Sequence, residues 1–512
     1  MDWKLIARAR KLLAGEEGTI YKDWGGKIAI ALIYPNTYYV GMSSLALQSL
    51  YRLFNRQEGV VCERVFYERR GGQGEEFISL ESQRPLGDFT VLAFTVSYEM
   101  DYFNLAEMLH RAGIPLLAAG RDESHPLIIA GGPAITANPE PLAPILDALA
   151  IGEGEVIIPP LVEALRGTIS QEKGKALEAL ASIPGLYVPA LHPSLPIRRG
   201  WLRNLDAYPT TSVVLAKETE FGDMYLIEIS RGCGRGCRFC LAGRAYRPVR
   251  ERSPEVIFAQ AEEGLRYRER IGLVSAAASD YSRLDEILAG LRTLGAKIAV
   301  SSLRIDSLPE NLVRALAESG AQTLTLAPET GSESLRRAIN KRISDDEIMR
   351  AAELAARYKI PQLKLYFMLG LPGEEESDVR AIVELVRGIK RRFPRQITAS
   401  AIPFVPKAHT AFERAPMARQ EVLEGHLRYL RQALRAEKVA LRAESPAWAR
   451  VQGVLSRGDR RVGLALVKMT EGQNRSLRAW RQALRDCGLA EEDYLRERAP
   501  GEVLPWAEVV RL

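Results

Sequence analysis

From Met224 to Phe404 the chain repeats one pattern six times. The strand-like runs are "MYLIEIS", "IGLVSAA", "KIAVSSL", "TLTLAPE", "LKLYFML" and "ITASAIPF", and a helix-length stretch follows each. Strands separated by helices pair side by side in parallel, because the helix carries the chain back to the starting edge of the sheet. Six such units curl into a barrel-like parallel sheet, three-quarters of an eightfold one. Ligands of such sheets collect at the carboxyl ends of the strands, so the repeat predicts where a site lies as well as the fold.

A second alternation precedes it. Strand candidates are Lys27–Ile33, Val60–Tyr67, Phe89–Val96, Leu127–Ala130 and Ala148–Ile151, with helical stretches at Ser43–Asn55, Tyr102–Ala112, Leu142–Asp147 and Val156–Leu165. This order predicts an α/β, doubly wound, Rossmann-like domain. "SYEMDY", "GGPAITANPEP" and "GEGE" fall at its strand ends, where such a sheet binds ligands. The expected organisation is an N-terminal helix over 1–24, the doubly wound domain over 25–166 and a proline-rich linker or subdomain over 167–223. The partial (β/α)6 barrel follows over 224–415, and a helical, arginine-rich module over 416–512.

Composition sets the class. Apolar residues at 46% and charged residues at 26% are ordinary for a soluble globular chain of 512 residues. No apolar run approaches twenty residues, so no membrane insertion is expected. "MDWKLIARARKLLAG" is basic and amphipathic without a signal-peptide apolar centre, and is expected to dock on the fold. Residues 401–512 hold 20 Lys+Arg against 14 Asp+Glu, which accounts for the whole formal charge of +6. A bias this mild leaves nucleic acid open as a partner without indicating it. Of five cysteines three lie within eight residues, and Cys62 and Cys487 stand apart. That is no disulfide framework, and it suits a reducing cytoplasm.

The chemistry is concentrated in "EISRGCGRGCRFCLAGRAYRPVRERS", directly after the first barrel strand. Cys233, Cys237 and Cys240 form Cys-x3-Cys-x2-Cys. Thiolates suit iron, and Gly232, Gly234 and Gly236 allow a short loop to wrap a cluster. A structural zinc ion wants a fourth cysteine or histidine, and no histidine lies between His192 and His409. Three ligands on a four-iron cube leave one iron open for chemistry.

This triple, at this place on the first strand, resembles the radical S-adenosylmethionine (SAM) superfamily. The resemblance implies a 4Fe–4S cluster on Cys233, Cys237 and Cys240 whose open iron chelates SAM. One electron, from a donor such as flavodoxin or ferredoxin, then cleaves the sulfonium and leaves a radical that abstracts a substrate hydrogen. Phe239, before the third cysteine, matches the family pattern. By the same resemblance Glu329 binds the ribose hydroxyls of SAM, since a carboxylate accepts two hydrogen bonds from a diol. Ser302 and Arg304 are candidates for its carboxylate, and Gly370 and Gly373 for a turn near its adenine. "SAAASD" stands where many members carry Gly-Gly-Glu, which leaves Ser275 and Ser279 as candidates for the methionine amine.

A radical SAM barrel behind a doubly wound domain is similar to the cobalamin-dependent branch. "IIAGGPAITANPEP" and "DALAIGEGE" resemble that branch, and the resemblance places Gly131 and Gly132 along the cobalamin nucleotide tail. The first loop, "PNTYYVG", has the spacing of the cobalamin motif Asp-x-His-x-x-Gly, with Asn36 for Asp, Tyr38 for His and Gly41 retained. A phenol is a poor cobalt ligand at neutral pH, so Tyr38 is expected to pack under the corrin without ligating it. Methylthiotransferases share wording near "RPVRERS" but bear a second cluster on N-terminal cysteines, and here the front domain offers Cys62 alone. The resemblance spans roughly residues 25–415. It implies a cobalamin-dependent methyltransferase acting on an unactivated carbon of an unknown substrate. The alternatives are a radical rearrangement or carbon–carbon bond formation with a vestigial or non-methylating cobalamin domain, and an iron–sulfur binding or regulatory protein that does not cleave SAM. "SRGDRRVG", near the C-terminus, resembles the same group but carries no assignable chemistry.

Overall fold

The computed structural model describes residues 3–68, 77–168, 172–191 and 196–512. Its front sheet runs β1 (Ile28–Tyr34), β2 (Val60–Phe66), β3 (Val91–Thr95), β4 (Leu127–Gly131), β5 (Ala148–Ala150) and β6 (Leu186–Tyr187). The spatial order is β2-β1-β3-β4-β5-β6, parallel except for the antiparallel edge β6. Every residue of β1, "IAIALIY", is buried, as expected of a parallel strand covered on both faces. The sheet is doubly wound and the class is α/β.

Two expectations change here. Leu142–Asp147 is no helix, since a single 3-10 turn over Glu140–Leu142 leads into β5. Pro139, Pro141 and Pro144 withhold the backbone donors that a helix needs. The stretch read as a linker is partly woven into the front domain. It supplies a helix (Lys173–Ala181), the edge strand β6, and Leu215–Ala216, which pairs with Glu16–Glu17 beyond the N-terminal helix. Residues 169–171 and 192–195 of that stretch lie outside the described residues.

Alternate residues of β1 go to opposite cores. Ile30 and Leu32 meet the helices Leu45–Arg56 and Gly154–Thr168. Ala31 and Ile33 face the helix Tyr102–Arg111 and, beyond it, Val454, Leu466 and Trp480 of the C-terminal helices. The C-terminal module therefore completes the cover of the front sheet, where the front segment supplies a proline-rich turn in place of a second helix. "SRGDRRVG" gains its role at this contact. Arg460 Nε lies 3.0 Å from a Glu140 carboxylate oxygen, and a Cβ on Gly463 would stand 2.3 Å from Pro141 O.

The barrel strands are β7 (Met224–Glu228), β8 (Arg270–Val274), β9 (Lys297–Val300), β10 (Thr323–Glu329), β11 (Gln362–Leu369) and β12 (Gln396–Pro403). A seventh parallel strand, β13 (Ala440–Ala443), extends the six that the repeat predicts. Its exposed sequence "ALRA" has no apolar periodicity to announce it. Hydrogen bonding joins β7-β8-β9 and β10-β11-β12-β13, with a break between β9 and β10. Leu324, Leu326, Leu363, Leu365 and Ala399 point outward into the helical core, which leaves their neighbours lining an open lumen. Among the described residues no helix is long and apolar enough to cross a membrane.

Gly463→Ala sets a methyl group against backbone that has no room to retreat. The variant is expected to lose about 1–3 kcal/mol of stability, read by urea denaturation.

Candidate active site

Beyond β7 the short ribbon of Ser230–Arg231 against Arg250–Glu251 pinches off a loop, and all three cysteines sit on it as free, half-buried thiols. Gly232 adopts φ +93°, where a Cβ would stand 2.5 Å from Tyr246 O, so glycine is required for the loop to close. Segments that follow β8 and β10 hold the loop down. Asn340 Nδ2 donates to Gly236 O (2.9 Å) and Arg235 O (3.3 Å), and Arg238 N donates to Ile339 O (3.0 Å). Arg235 makes a two-pronged pair with Asp280 at 2.8 and 2.7 Å. Phe239 packs among Leu335, Ile339, Met368 and Phe404, which fixes the third cysteine from behind.

Burial pushes the Cys237 and Cys240 thiols above their usual range. Lys341 and Arg304 oppose this at Cys237, and the N–H groups of Gly243 and Ala242 oppose it at Cys240. Three half-buried thiols on one loop, with Lys341 and Arg304 beside Cys237, suit an anionic iron–sulfur cluster. The donor set fits a 4Fe–4S cluster.

Glu329, at the end of β10, has φ +71° and lies 2.6 Å from Lys341 Nζ, both mostly buried. A glutamate held in the left-handed region costs about 1–3 kcal/mol, and such strain concentrates at functional sites. Arg304 is engaged by Asp306 in a bidentate pair at 3.0 and 2.9 Å, and its N–H donates to Ser279 Oγ (3.0 Å). Ser302 is half-buried beside it and accepts from Ala278 N through its carbonyl (3.2 Å). Gly370 has φ +79°, its N–H donates to Glu374 (2.7 Å), and a Cβ there would crowd Ala418 and Leu423. Gly373 has φ +83° with open space where a Cβ would be. Lys341, Asn340 and Asp280 escaped the sequence reading, because nothing in "AINKR" or "ASDY" announces a partner dozens of residues away.

A cavity of about 540 Å³ opens beside the cysteine loop. Ser230, Arg231, Gly232 and Ser275 form its barrel side, and Gly131, Gly132 and Gly152–Glu155 form its front-domain side. From there it runs down between the sheet face and the helices Leu45–Arg56 and Gly154–Thr168, past Leu32, Leu50, Ala93, Ile129 and Ile158. Small residues make this room: Ala93 lies next to Ile129, and Gly131 next to Ala150, on neighbouring strands. Ser275 Oγ meets Ser230 Oγ (2.7 Å) at its rim.

The first front loop behaves differently from expectation. Tyr38 is buried, its hydroxyl donates to Glu16 (2.7 Å), and its ring stands edge-on to Phe66. It therefore belongs to the domain core and does not line the cavity. Burial beside the Glu16 carboxylate raises its phenol far above the usual range, so it stays protonated. Gly41 is filled over by Phe66, whose ring would meet a Cβ at 2.4 Å. Asn36 spends its side chain on Asp101 (2.9 Å) and on the N–H of Thr37. Thr37 caps the short helix Tyr38–Met42 that this loop becomes. None of the three lines the cavity, whereas Gly131 and Gly132 do.

Residues 227–386 match the family model for the radical SAM superfamily, and residues 46–189 match that for the N-terminal part of radical SAM proteins. An uncharacterised protein of Methanocaldococcus jannaschii is 30% identical over 434 residues, 84% of this chain and 88% of that one. The chain belongs to the radical SAM superfamily. It is a radical SAM enzyme, with a 4Fe–4S cluster and SAM as its cofactors. An uncharacterised methyltransferase of Pyrococcus horikoshii is 24% identical over 293 residues, 54% of this chain and 61% of its own. Among solved structures, the cobalamin-dependent SAM radical enzyme OxsB with aqua-cobalamin bound superposes with a TM-score of 0.52 at 15% identity. That match covers 70% of this chain and 52% of the other, so the chain spans about half of that structure, and the likeness is one of fold.

In this superfamily member one carboxylate ties the front domain to the cluster loop. Glu153, 4% exposed, meets Arg231 (2.8 Å) and Arg250 (2.7 Å) and accepts from Leu202 N (3.0 Å). Arg231 also reaches Glu228 and Glu155, each at 2.8 Å. Burial alone would raise the Glu153 carboxyl, but Arg250 and Arg231 outweigh it and hold it below its usual range. Its contribution is therefore complete above about pH 4.3, the ordinary glutamate value, and fades as pH falls through the lower folded one. Glu153→Ala is expected to cost about 3–5 kcal/mol by leaving buried guanidinium groups unpaired. The acid loss of stability, followed by urea midpoints between pH 6 and pH 3, is expected to be shallower in Glu153→Gln than in wild type.

Proposed function

We propose that the protein is a cobalamin-dependent radical SAM methyltransferase acting on an unactivated carbon. The observation that carries this reading is the cavity joining the glycine-lined edge of the front sheet to Ser230–Gly232 beside the cysteine loop. Its upper part lies open at the barrel mouth, and its lower part is an apolar slot between sheet and helices. A planar macrocycle with an appended nucleotide tail needs both. The upper part is bounded by Gly131, Gly132 and Gly152, which are packed so closely that added side chains would meet Ala150, Val96 and Gly200 at 3.3 Å or less.

When bound, the cluster delivers the electron that splits SAM and the corrin supplies a methyl group. The chain's own residues do the holding. Cys233, Cys237 and Cys240 give up their protons on ligation. Glu329, held in place by Lys341, would accept from the ribose hydroxyls, and the Ser275–Ser230 pair would face the methionine end. The Glu153–Arg231 lock keeps the two cofactor pockets in register and excludes water from the seam. A small reduced carrier such as flavodoxin or ferredoxin supplies the electron. Asn36, Tyr38 and Gly41 lie outside the cavity, and the first loop offers no histidine.

Anaerobic reconstitution tests this directly. Wild type is expected to take up about four irons per chain, cleave SAM under dithionite, and keep the visible spectrum of hydroxocobalamin through desalting. Each of Cys233→Ala, Cys237→Ala and Cys240→Ala is expected to lose cluster and cleavage together. Ala93→Leu, which fills the slot, is expected to lose the corrin and still cleave SAM. Wild type that keeps no corrin ends the methyltransferase assignment. Tyr38→Phe is expected to lower stability by about 1–2 kcal/mol through the lost bond to buried Glu16, with the corrin spectrum unchanged.

A further inference from the structure

The inner wall of the barrel carries two cations that nothing in the cofactor chemistry uses. On β11, Leu363, Leu365 and Phe367 are buried under the outer helices, so Lys364 and Tyr366 face the lumen. Strand register extends that face sideways. Lys364 stands beside Thr325 of β10 and Thr398 of β12, Tyr366 beside Ser400, and Ser400 beside Arg442 of β13. Thr325 is exposed, so the lumen is open at this level.

Other cations of the barrel strands are answered by carboxylates: Arg270 by Asp223 at 3.2 Å and Lys297 by Glu269 at 2.8 Å. Lys364 instead rests 4.9 Å over the Tyr366 ring, and among the described residues neither it nor Arg442 is met by a carboxylate. Glu444, two residues past Arg442, donates its backbone N–H to Ala401 O without pairing with the arginine. Half-buried Lys364 and exposed Arg442, with the buried hydroxyls of Thr398 and Ser400 between their strands, offer donors with no ionised acceptor among them. That is the array that takes up an oxyanion, with the guanidinium fork supplying two of the bonds.

We propose that the substrate enters the barrel with a phosphate or carboxylate group held by Lys364 and Arg442, assisted by Thr398 and Ser400. This rests on the reading that the lumen is the substrate chamber of the radical reaction. Phe367 is level with Glu329, so Lys364 lies three residues, about 10 Å, beneath the place given to SAM. A small molecule anchored there presents a carbon several bonds away to the barrel mouth.

The test uses the full chain and two probes, inorganic phosphate and acetate, titrated by calorimetry. Wild type is expected to show one saturable anion site. It should weaken about tenfold or more in the Lys364→Gln/Arg442→Gln double variant and stay unchanged in Lys297→Gln. Tighter binding of phosphate assigns a phosphate-bearing substrate, and tighter binding of acetate a carboxylate-bearing one. SAM cleavage is measured on the same reconstituted preparations, and the double variant should retain it. Wild type that cleaves SAM but has no saturable anion site, or a double variant that binds as well as wild type, overturns this inference alone. Wild type that binds the anion and never cleaves SAM overturns the function proposed above while upholding the anion site.

Discussion

The arrangement of the two α/β units depends on a buried ion-pair lattice centred on Glu153 and Arg231. Glu153 sits just after β5 of the front sheet, and Arg231 just before the first cysteine on the barrel side. Removing such charges from water is expensive, and their mutual attraction repays it only when every partner is in place. Arg231 therefore has four carboxylate contacts to three glutamates, and Glu153 has three arginine partners. A lattice of this kind contributes more to fixing one geometry than to overall stability. It makes the seam between the domains a defined surface, and the cavity beside the cysteines is bounded by that surface.

The front domain is also completed from a distance. Its sheet uses one face to form the slot between two helices and gives the other to the C-terminal helices, so chain far apart in sequence encloses one core. Gly463 and the Arg460–Glu140 pair mark where the last hundred residues close over the first hundred and fifty. A fold closed this way resists separation of its parts, which suits a site assembled from loops of both units. The barrel, in contrast, stays open. Its outward residues make a continuous apolar core with the helices, while its inward ones on β11 and β12 include Gln362, Lys364, Tyr366, Thr398 and Ser400. An interior of this kind is a chamber and not a packed centre.

Much of this was legible in the residues. Apolar runs of strand length broken by helix-length stretches identify both parallel sheets, because period and length are local properties. The cysteine triple marked its loop, because residue type and spacing are covalent facts, and the family match supplies the cofactor. The reading of Tyr38 failed for a physical reason. Spacing places a side chain along the chain but does not say which way it turns, and here Glu16 and Phe66 drew it inward. The helix expected at Leu142–Asp147 was lost to prolines whose effect outweighed the apolar pattern.

The sequence alone determined the α/β class, the two alternating units, the cysteine loop and the glycines that let it wrap. Only the tertiary structure decided that the last helices cover the front sheet, that a slot opens where Ala93, Gly131 and Ala150 adjoin, and that Lys364 and Arg442 share one wall. Each of those results depends on strand register and on contacts between residues far apart in the chain. Neither leaves a trace in the spacing of neighbouring residues.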